Sequence, residues 1–313
     1  MSVESSRTDL NSLLHRNREE VRQLVIEKLG KSERDLEEDK GSLRGWFEHQ
    51  KHLPKVPCDA ILEIFLVVNK FNLEKCKSKL SNYYTIRKTI PELYVDKNPK
   101  MEHMKLIANV IYIIPLPTLT PSLSRVTIIK LKDINPHNFD ALNFFAHSYN
   151  IVEIRIREDM ALHDTLIYDL EGVQLGHIFK LRVGTIRKAA KVLENVFSTR
   201  LEGIHYINLP SSMQMVLSLV TPMLKEKMRK RIHVHKDVGS LQSHVPKEVL
   251  PEDYGGYGAS LDCLHELWLQ KLECYQGLFD QLETLVSGNI QNQEEDDDGG
   301  PDLLSTFKEL SID

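Results

Sequence analysis

The sequence predicts an α/β protein in which a mixed sheet with flanking helices is preceded by a small all-helical N-terminal domain. Two observations carry this reading. Up to about residue 94 apolar side chains recur every three or four positions, and from about residue 110 short β-branched runs alternate with helical stretches of twelve to twenty residues. Size agrees: 313 residues, 41% hydrophobic and 27% charged, suffice for one large or two medium domains with cores of their own. The expected divisions are a helical domain over 1–95, a sheet domain with its C-terminal packing helix over 96–287, and an acidic tail with a short terminal element over 288–313.

In the helical part, Val21, Leu24, Val25 and Leu29 keep helical spacing, and Pro54 and Pro57 make 51–57 a connector. Asp59 stands where an N-cap would start a helix over 60–69. The next helix, 73–89, carries Cys76, Leu80, Tyr83 and Tyr84 ahead of Ile90 and a terminating Pro91. Strands are expected over 110–116, 126–131, 165–170, 204–209 and 232–234, and helices over 139–158, 178–197 and 212–230. Such alternation implies right-handed crossovers. Asp253-Tyr254-Gly255-Gly256 is a turn, and 261–286 is a packing helix with Leu261, Leu264, Trp268, Leu272, Tyr275, Phe279 and Leu282 on one side. The stretch 288–302 holds six acids and no base, a composition that predicts disorder, while Leu303, Leu304, Phe307 and Leu310 give 303–312 enough apolar character to dock.

Composition removes several classes. No apolar run approaches the ~18–20 residues of a spanning helix. The start, Met1-Ser2-Val3-Glu4, has no apolar signal core and no myristoylation glycine, and Ser311-Ile312-Asp313 is neither a prenylation nor a retrieval signal. A cytoplasmic protein is expected. Cys58, Cys76, Cys263 and Cys274 are too scattered for a zinc site and read as free thiols. The net charge of −5 owes more to the six tail acids than to the folded part, and no nucleic-acid partner is expected. One local cluster stands out, Lys225, Lys227, Arg229, Lys230, Arg231 and Lys236 against the single acid Glu226.

Enzyme signatures are missing. There is no Gly-x-Gly-x-x-Gly after a strand, no Gly-x-x-x-x-Gly-Lys-Ser/Thr and no Gly-x-Ser-x-Gly. His233 and His235 share one face of a strand and could begin a metal site or proton shuttle, but no third ligand is marked by spacing and basic neighbours repel a cation. Structural histidines are therefore expected. Asp169 and Glu171 read as turn acids that cap the next helix. A non-enzyme follows, with no catalytic residue, metal or cofactor.

The informative segment is 211–231. Gln214, Ser218 and Thr221 form one narrow polar stripe and leave Met213, Met215, Val216, Leu217, Leu219, Val220, Met223 and Leu224 around most of the circumference. A helix packed on one sheet needs an apolar arc of only about 100°, so the surplus must meet a second apolar partner or be deeply buried in the core. Beyond Pro222 the segment turns basic, a combination suited to an anionic membrane surface. Alternatively, 225–231 is a solvated helical face.

Asp169-Leu170-Glu171-Gly172, then Phe197-Ser198-Thr199-Arg200-Leu201-Glu202-Gly203-Ile204-His205-Tyr206-Ile207-Asn208-Leu209-Pro210, then 227–235 and Leu250-Pro251-Glu252-Asp253-Tyr254-Gly255-Gly256 occur in an order that resembles the CRAL-TRIO lipid-binding family. The likeness, on that family's tocopherol- and retinoid-binding side, runs from about residue 53 to 285, and 59–91 resembles its N-terminal helical domain. It implies a lipid cavity under a mobile helical gate. By resemblance the walls are Asn150, Ile154, Ile167, Phe179, Leu181, Ala189, Val192, Leu193, Phe197 and Ile204, and the gate is Met213, Val216, Leu217, Leu219, Val220 and Met223. Arg200, Lys227 and Arg231 match the family's phosphoinositide and membrane site, whereas Val67, Asn69 and Glu202 replace other bases of that pattern. The implied function is a monomeric carrier of one hydrophobic small molecule, a tocopherol, retinoid or similar lipid, exchanged at anionic membranes in peripheral contact. The alternative is a phosphoinositide-binding regulatory module.

Overall fold

The computed structural model describes residues 18–54, 56–197, 200–211, 213, 214, 217, 221 and 226–287. It opens with four helices, α1 Arg18–Lys28, α2 Glu33–Glu48, α3 Asp59–Val68 and α4 Leu73–Thr89. Ser32 and Asp35 start α2 with reciprocal side-chain to backbone bonds. Helix α3 is apolar on nearly every side and buries Ile61 through Val67, as befits a helix enclosed by neighbours. Its one buried acid, Glu63, is matched by Lys40 at 3.1 Å and Arg18 at 3.3 Å. Cys58 occupies the N-cap of α3, so Asp59 is the first helical residue instead of the cap; its carboxylate is engaged by Arg44 at 2.5 Å. Lys70 and Phe71 adopt positive φ and end α3, after which Asn72 caps α4 by accepting from the Lys75 amide.

After α5 (Glu102–Val110) come β1 Ile111–Leu119, β2 Ser124–Leu131, α6 Ala141–Glu158 and β3 His163–Asp169. Then follow α7 Leu175–Lys180, α8 Val183–Val192, a π-helical turn Leu193–Phe197, β4 Leu201–Ile207, α9 Glu226–Arg229, β5 Ile232–Val234 and α10 Val238–Gln242. Helices α11 Leu261–Cys274 and α12 Gln276–Ser287 complete the described chain. The five strands lie in sequence order, β1 antiparallel to β2 and the rest parallel, the mixed sheet expected.

Strand register divides the side chains between two faces. Ile113, Pro115, Thr127, Ile129, Leu166 and Tyr168 share one; Tyr112, Ile114, Ile128, Ile167 and His205 share the other. The second face is floored by α11 and the loop before it: Tyr112 Oη donates to Asp262 at 2.6 Å, and Tyr254 Oη donates to Asp169 at 2.7 Å. The N-terminal helices dock on α6 through a buried network. Glu153 is paired with Arg87 and with Arg157 at 2.9 Å, and it accepts from Tyr83 Oη at 2.6 Å.

Three further expectations need correction. The stretch 178–197 is not one helix: it breaks at Leu181 and Arg182, where Lys180 Nζ is tied to the carbonyls of His137 and Phe139 at 3.1 and 2.8 Å, and ends in the π turn. The C-terminal helix breaks at Tyr275, whose hydroxyl donates to Glu158. Asp169 caps no helix; it is buried, accepts from Asn208 and Tyr254 and pairs with Lys130 at 3.1 Å, while Gln174 stands at the N-cap of α7. Residues 288–313, and Val216, Leu219, Val220 and Met223 of the expected gate, lie outside the described residues.

Candidate functional site

Between the first sheet face and α6 lies a cavity of about 180 Å³. The sheet supplies Ile113, Pro115, Thr127, Ile129, Leu166 and Tyr168, because alternate residues of adjacent strands share a face. Phe145, Ser148, Val152, Arg155 and Ile156, spaced at three and four along α6, form the opposite wall. Ile64 and Val68 of α3, one helical turn apart, close one side, and Leu193 and Phe197 of the π turn close another. An apolar cavity of ~150 Å³ holds one benzene-sized guest, so this volume accepts the ring or head of a larger molecule.

One end is polar. Arg155, Asp159 and Asp164 line the cavity, with Arg155 Nη2 at 2.7 Å from Asp164 and 3.0 Å from Asp159. Arg125 grips Asp159 through Nε at 2.9 Å and Nη2 at 2.7 Å, and donates to the carbonyls of Leu116 and Pro117. Burial disfavours the Arg155 charge, but Asp164 and Asp159 more than offset it and hold its pKa above the ordinary arginine value. Two guanidiniums thus stand against two carboxylates, a compensated network.

The expected wall residues scatter. Leu193 and Phe197 line the cavity. Ile204 shares its sheet face, in register with Leu166, but sits one strand farther out and is half-buried. Ile167 points to the opposite face, since its neighbours Leu166 and Tyr168 are the ones that line the hollow. Ile154 is sealed in the core, and Asn150 is turned away, donating to the Lys97 carbonyl at 2.9 Å. Ala189 and Val192 are buried in the helical core, Leu181 is half-buried against the sheet core, and Phe179 is 76% exposed on α7. Residues absent from the sequence reading include Ile64 and Val68, which belong to the N-terminal helices, and the Arg155 network, whose partners come from separate elements. Of the expected gate, Met213 and Leu217 are half-buried; Met213 N donates to the Pro210 carbonyl at 2.9 Å and Thr221 Oγ1 to the Leu217 carbonyl at 2.7 Å.

Arg200 and Arg231 come together beside β4. The Arg231 carbonyl accepts from the Ile204 amide at 2.7 Å, and the Arg200 carbonyl accepts from the Asp164 amide at 3.0 Å. Burial first, and then the Arg231 charge, lower the Arg200 pKa, and its buried Nη1 has no hydrogen-bond partner. Lys227 is exposed on α9. Glu202 accepts from Ser122 Oγ at 2.7 Å.

His233 and His235 join His205 and His244 on the floor side of the sheet. His205 Nδ1 and His235 Nε2 are 2.8 Å apart, and ring centroids across the four lie between 4.8 and 6.4 Å. Burial and the neighbouring imidazoles push His205 down to about 3. Among the described residues no histidine, cysteine or carboxylate group has the geometry to hold a metal ion.

Sheet order, floor helices and cavity define an α/β domain with an apolar hollow between sheet and helix, and the comparisons name its family: residues 110–256 match the CRAL/TRIO domain and 32–104 match the Pinta-like UBA domain. Residues 110–256 thus form a CRAL/TRIO domain. It is similar to the alpha-tocopherol transfer protein-like proteins of Mus musculus and Homo sapiens, each 27% identical over 207 residues, spanning 65% of this chain and 60% of the relative. The match thus covers about three fifths of those relatives' length. Clavesin-2 of Rattus norvegicus is 35% identical over 92 residues, 29% of this chain and 28% of its own. The solved structure of Sfh5 aligns with 83% of this chain and 99% of its own at 14% identity and a TM-score of 0.43. No helix among the described residues is long and apolar enough to cross a membrane.

Proposed function

We propose that this chain is a monomeric, non-enzymatic carrier that holds one hydrophobic small molecule, a tocopherol, retinoid or similar lipid, and exchanges it at anionic membranes from the cytoplasm. The observation that carries the reading is the apolar hollow between the sheet and α6 in a chain that carries a CRAL/TRIO domain. A guest burying ~400 Å² of apolar surface gains about 10 kcal/mol gross at ~25 cal/mol per Å². Release therefore needs a second apolar medium, and the Met-rich segment 213–223 followed by Lys227 and Arg231 suits membrane contact. The volume of about 180 Å³ takes the ring end of such a guest.

Organic extraction of the purified protein followed by mass spectrometry tests this directly. One lipid species at near-equimolar yield is expected; a clean extract, together with no uptake of tocopherol or retinol by the stripped protein, overturns it. A second reading, a phosphoinositide-binding regulatory module, draws on the Arg200 and Arg231 pair with its unpartnered donor. Tight, headgroup-specific pelleting of stripped protein with phosphoinositide vesicles favours that reading over the carrier.

A further inference from the structure

We infer that the protein has a second ligand site, between α5, α6 and α11, which takes a small uncharged ring compound bearing a hydroxyl and receives that hydroxyl on His147. The site is separate from the sheet cavity, so the inference goes beyond the carrier reading. A hollow of about 400 Å³ lies there, against about 180 Å³ for the sheet cavity. Its walls follow helical spacing: Met104 and Ala108 stand four apart on α5, Leu269 and Leu272 three apart on α11, and His147 comes from a side of α6 that does not meet the sheet cavity. Met104, Ala108 and Leu272 are buried, while Lys105, Asn109 and Glu273 stand exposed at the mouth. An apolar pocket with a polar rim results, of a size that holds a small organic molecule.

His147 gives the pocket its chemistry. It is 3% exposed, lines the hollow and has no hydrogen-bond partner among the described residues. Its ring nitrogens are not sealed off as Nε2 of the nearby His265 is. Buried polar groups are normally paired, because an unmade bond costs the full desolvation of the group. Other polar groups of the same wall obey that rule: Asn109 Nδ2 donates to the Lys105 carbonyl at 2.9 Å, and Gln276 Nε2 donates to Asn98 Oδ1 at 2.8 Å. A guest in the hollow supplies the partner that His147 lacks.

Charge decides the head of that guest. Burial, and then the neighbouring His265, hold the His147 pKa down to about 4, so at neutral pH its imidazole offers one N–H and one lone pair. A hydroxyl, at once donor and acceptor, matches either nitrogen. A carboxylate would need an imidazolium that the site disfavours, and the two lysines of the lining are already committed, Lys100 to Asp280 at 2.7 Å and Lys105 to Glu102 at 3.0 Å. Glu273 at the mouth adds repulsion.

The test titrates the full chain carrying Ile129→Phe, which fills the sheet cavity, with 2-naphthol, naphthalene and 2-naphthoate at pH 7.5, read by calorimetry. These probes share one two-ring body. Equimolar binding of 2-naphthol is expected, about three- to tenfold tighter than naphthalene, the factor that one net hydrogen bond is worth, with 2-naphthoate weakest. Leu269 is half-buried, so adding Leu269→Trp should fill the pocket, leave the fold intact and abolish the binding. His147→Phe removes both ring nitrogens; a melting temperature no lower than the parent's establishes its fold, and its preference for naphthol over naphthalene should fall to about one. His147→Gln keeps a donor and an acceptor and should restore most of that preference. No saturable naphthol binding, binding that survives Leu269→Trp, naphthoate bound most tightly, or an unchanged preference in His147→Phe overturns the inference. If His147→Phe does not fold, Leu269→Trp and the ranking of the three probes still decide. With Ile129 intact, Leu269→Trp should take up retinol as the native chain does; loss in the variant alone would make the two hollows one and overturn the inference, whereas loss in both sinks the carrier reading and leaves this site standing.

Discussion

The two faces of this sheet are made from the same strands, yet one is sealed and the other is hollow. On the floor face Ile114, Ile128 and Ile167 are fully buried against a layer that includes Trp268, whose indole N–H donates to the Pro115 carbonyl at 3.2 Å. On the other face α6 stands off, leaving about 180 Å³. A buried apolar residue forfeits dispersion contacts wherever its neighbours do not reach it, so the hollow costs stability that a guest would return. The difference locates stability on the floor and binding above it.

Trp268→Ala tests the floor at its strongest point. Removing a fully packed indole should cost about 3–5 kcal/mol, read as a lowered urea midpoint. The matching truncation across the sheet, Val152→Ala, only enlarges space that exists and should cost under ~1.5 kcal/mol. If both variants lost equal stability, the hollow face would be as tightly packed as the floor, and the comparison would break.

Adding bulk sharpens the contrast. Ile128→Phe overpacks a residue with no free space and should lose ~1–3 kcal/mol. Its strand neighbour Ile129 lines the cavity, so Ile129→Phe should keep its melting temperature within a few degrees while abolishing lipid uptake. Undiminished uptake by folded Ile129→Phe would show that the guest sits elsewhere.

How much of this was legible in the sequence follows from what each feature depends on. The five strands were visible because β-branched runs are a local signal, and the order of the family motifs matched the fold. Which residues face the hollow was not. A central parallel strand is covered on both sides and lacks the alternation that betrays a face, so Ile167 was as good a candidate as Leu166 or Tyr168 until register was known. Phe179 misled for a different reason: the chain breaks at Leu181, and α7 turns that ring to solvent. Ile64 and Val68 were missed because the cavity draws on the N-terminal helices as well as the sheet domain. Arg155 meets Asp164 only through the packing of α6 on β3, for which no spacing rule exists. His233 and His235 were visible as a pair, whereas His205 and His244 join them through strand register and a later loop.

The histidine cluster gives the floor face a pH dependence. In the unfolded chain an imidazole titrates near 6.5; in the fold His205 is held down to about 3 by burial and by His233, His235 and His244. Between those values the unfolded chain binds a proton that the native His205 refuses. Stability is therefore full above about pH 6.5 and declines as the pH falls toward 3, by up to ~1.4 kcal/mol per pH unit for this one group. Urea midpoints measured from pH 7.5 to 4 should trace the decline, and His205→Gln should flatten part of it. An identical profile in the variant would mean that other groups, such as buried His147 and His265 with values of about 4, set the acid limit.

The smallest effect concerns the rim outside both faces. Lys227 and Arg231 touch neither the hollow nor the floor core, so Lys227→Ala with Arg231→Ala should leave solution affinity for lipid unchanged. Each base near an anionic surface contributes about 1 kcal/mol of attraction, screened within a Debye length. Transfer to vesicles containing phosphatidylserine should slow several-fold in the double variant at low salt, and the gap between variant and native protein should narrow as ionic strength rises. Arg200 differs because it is partly buried and repelled by Arg231. Removing Arg231 relieves that repulsion, so adding Arg200→Gln to the double variant should slow transfer by less than it does in the native background. Strict additivity would show that the two guanidiniums act on the membrane independently.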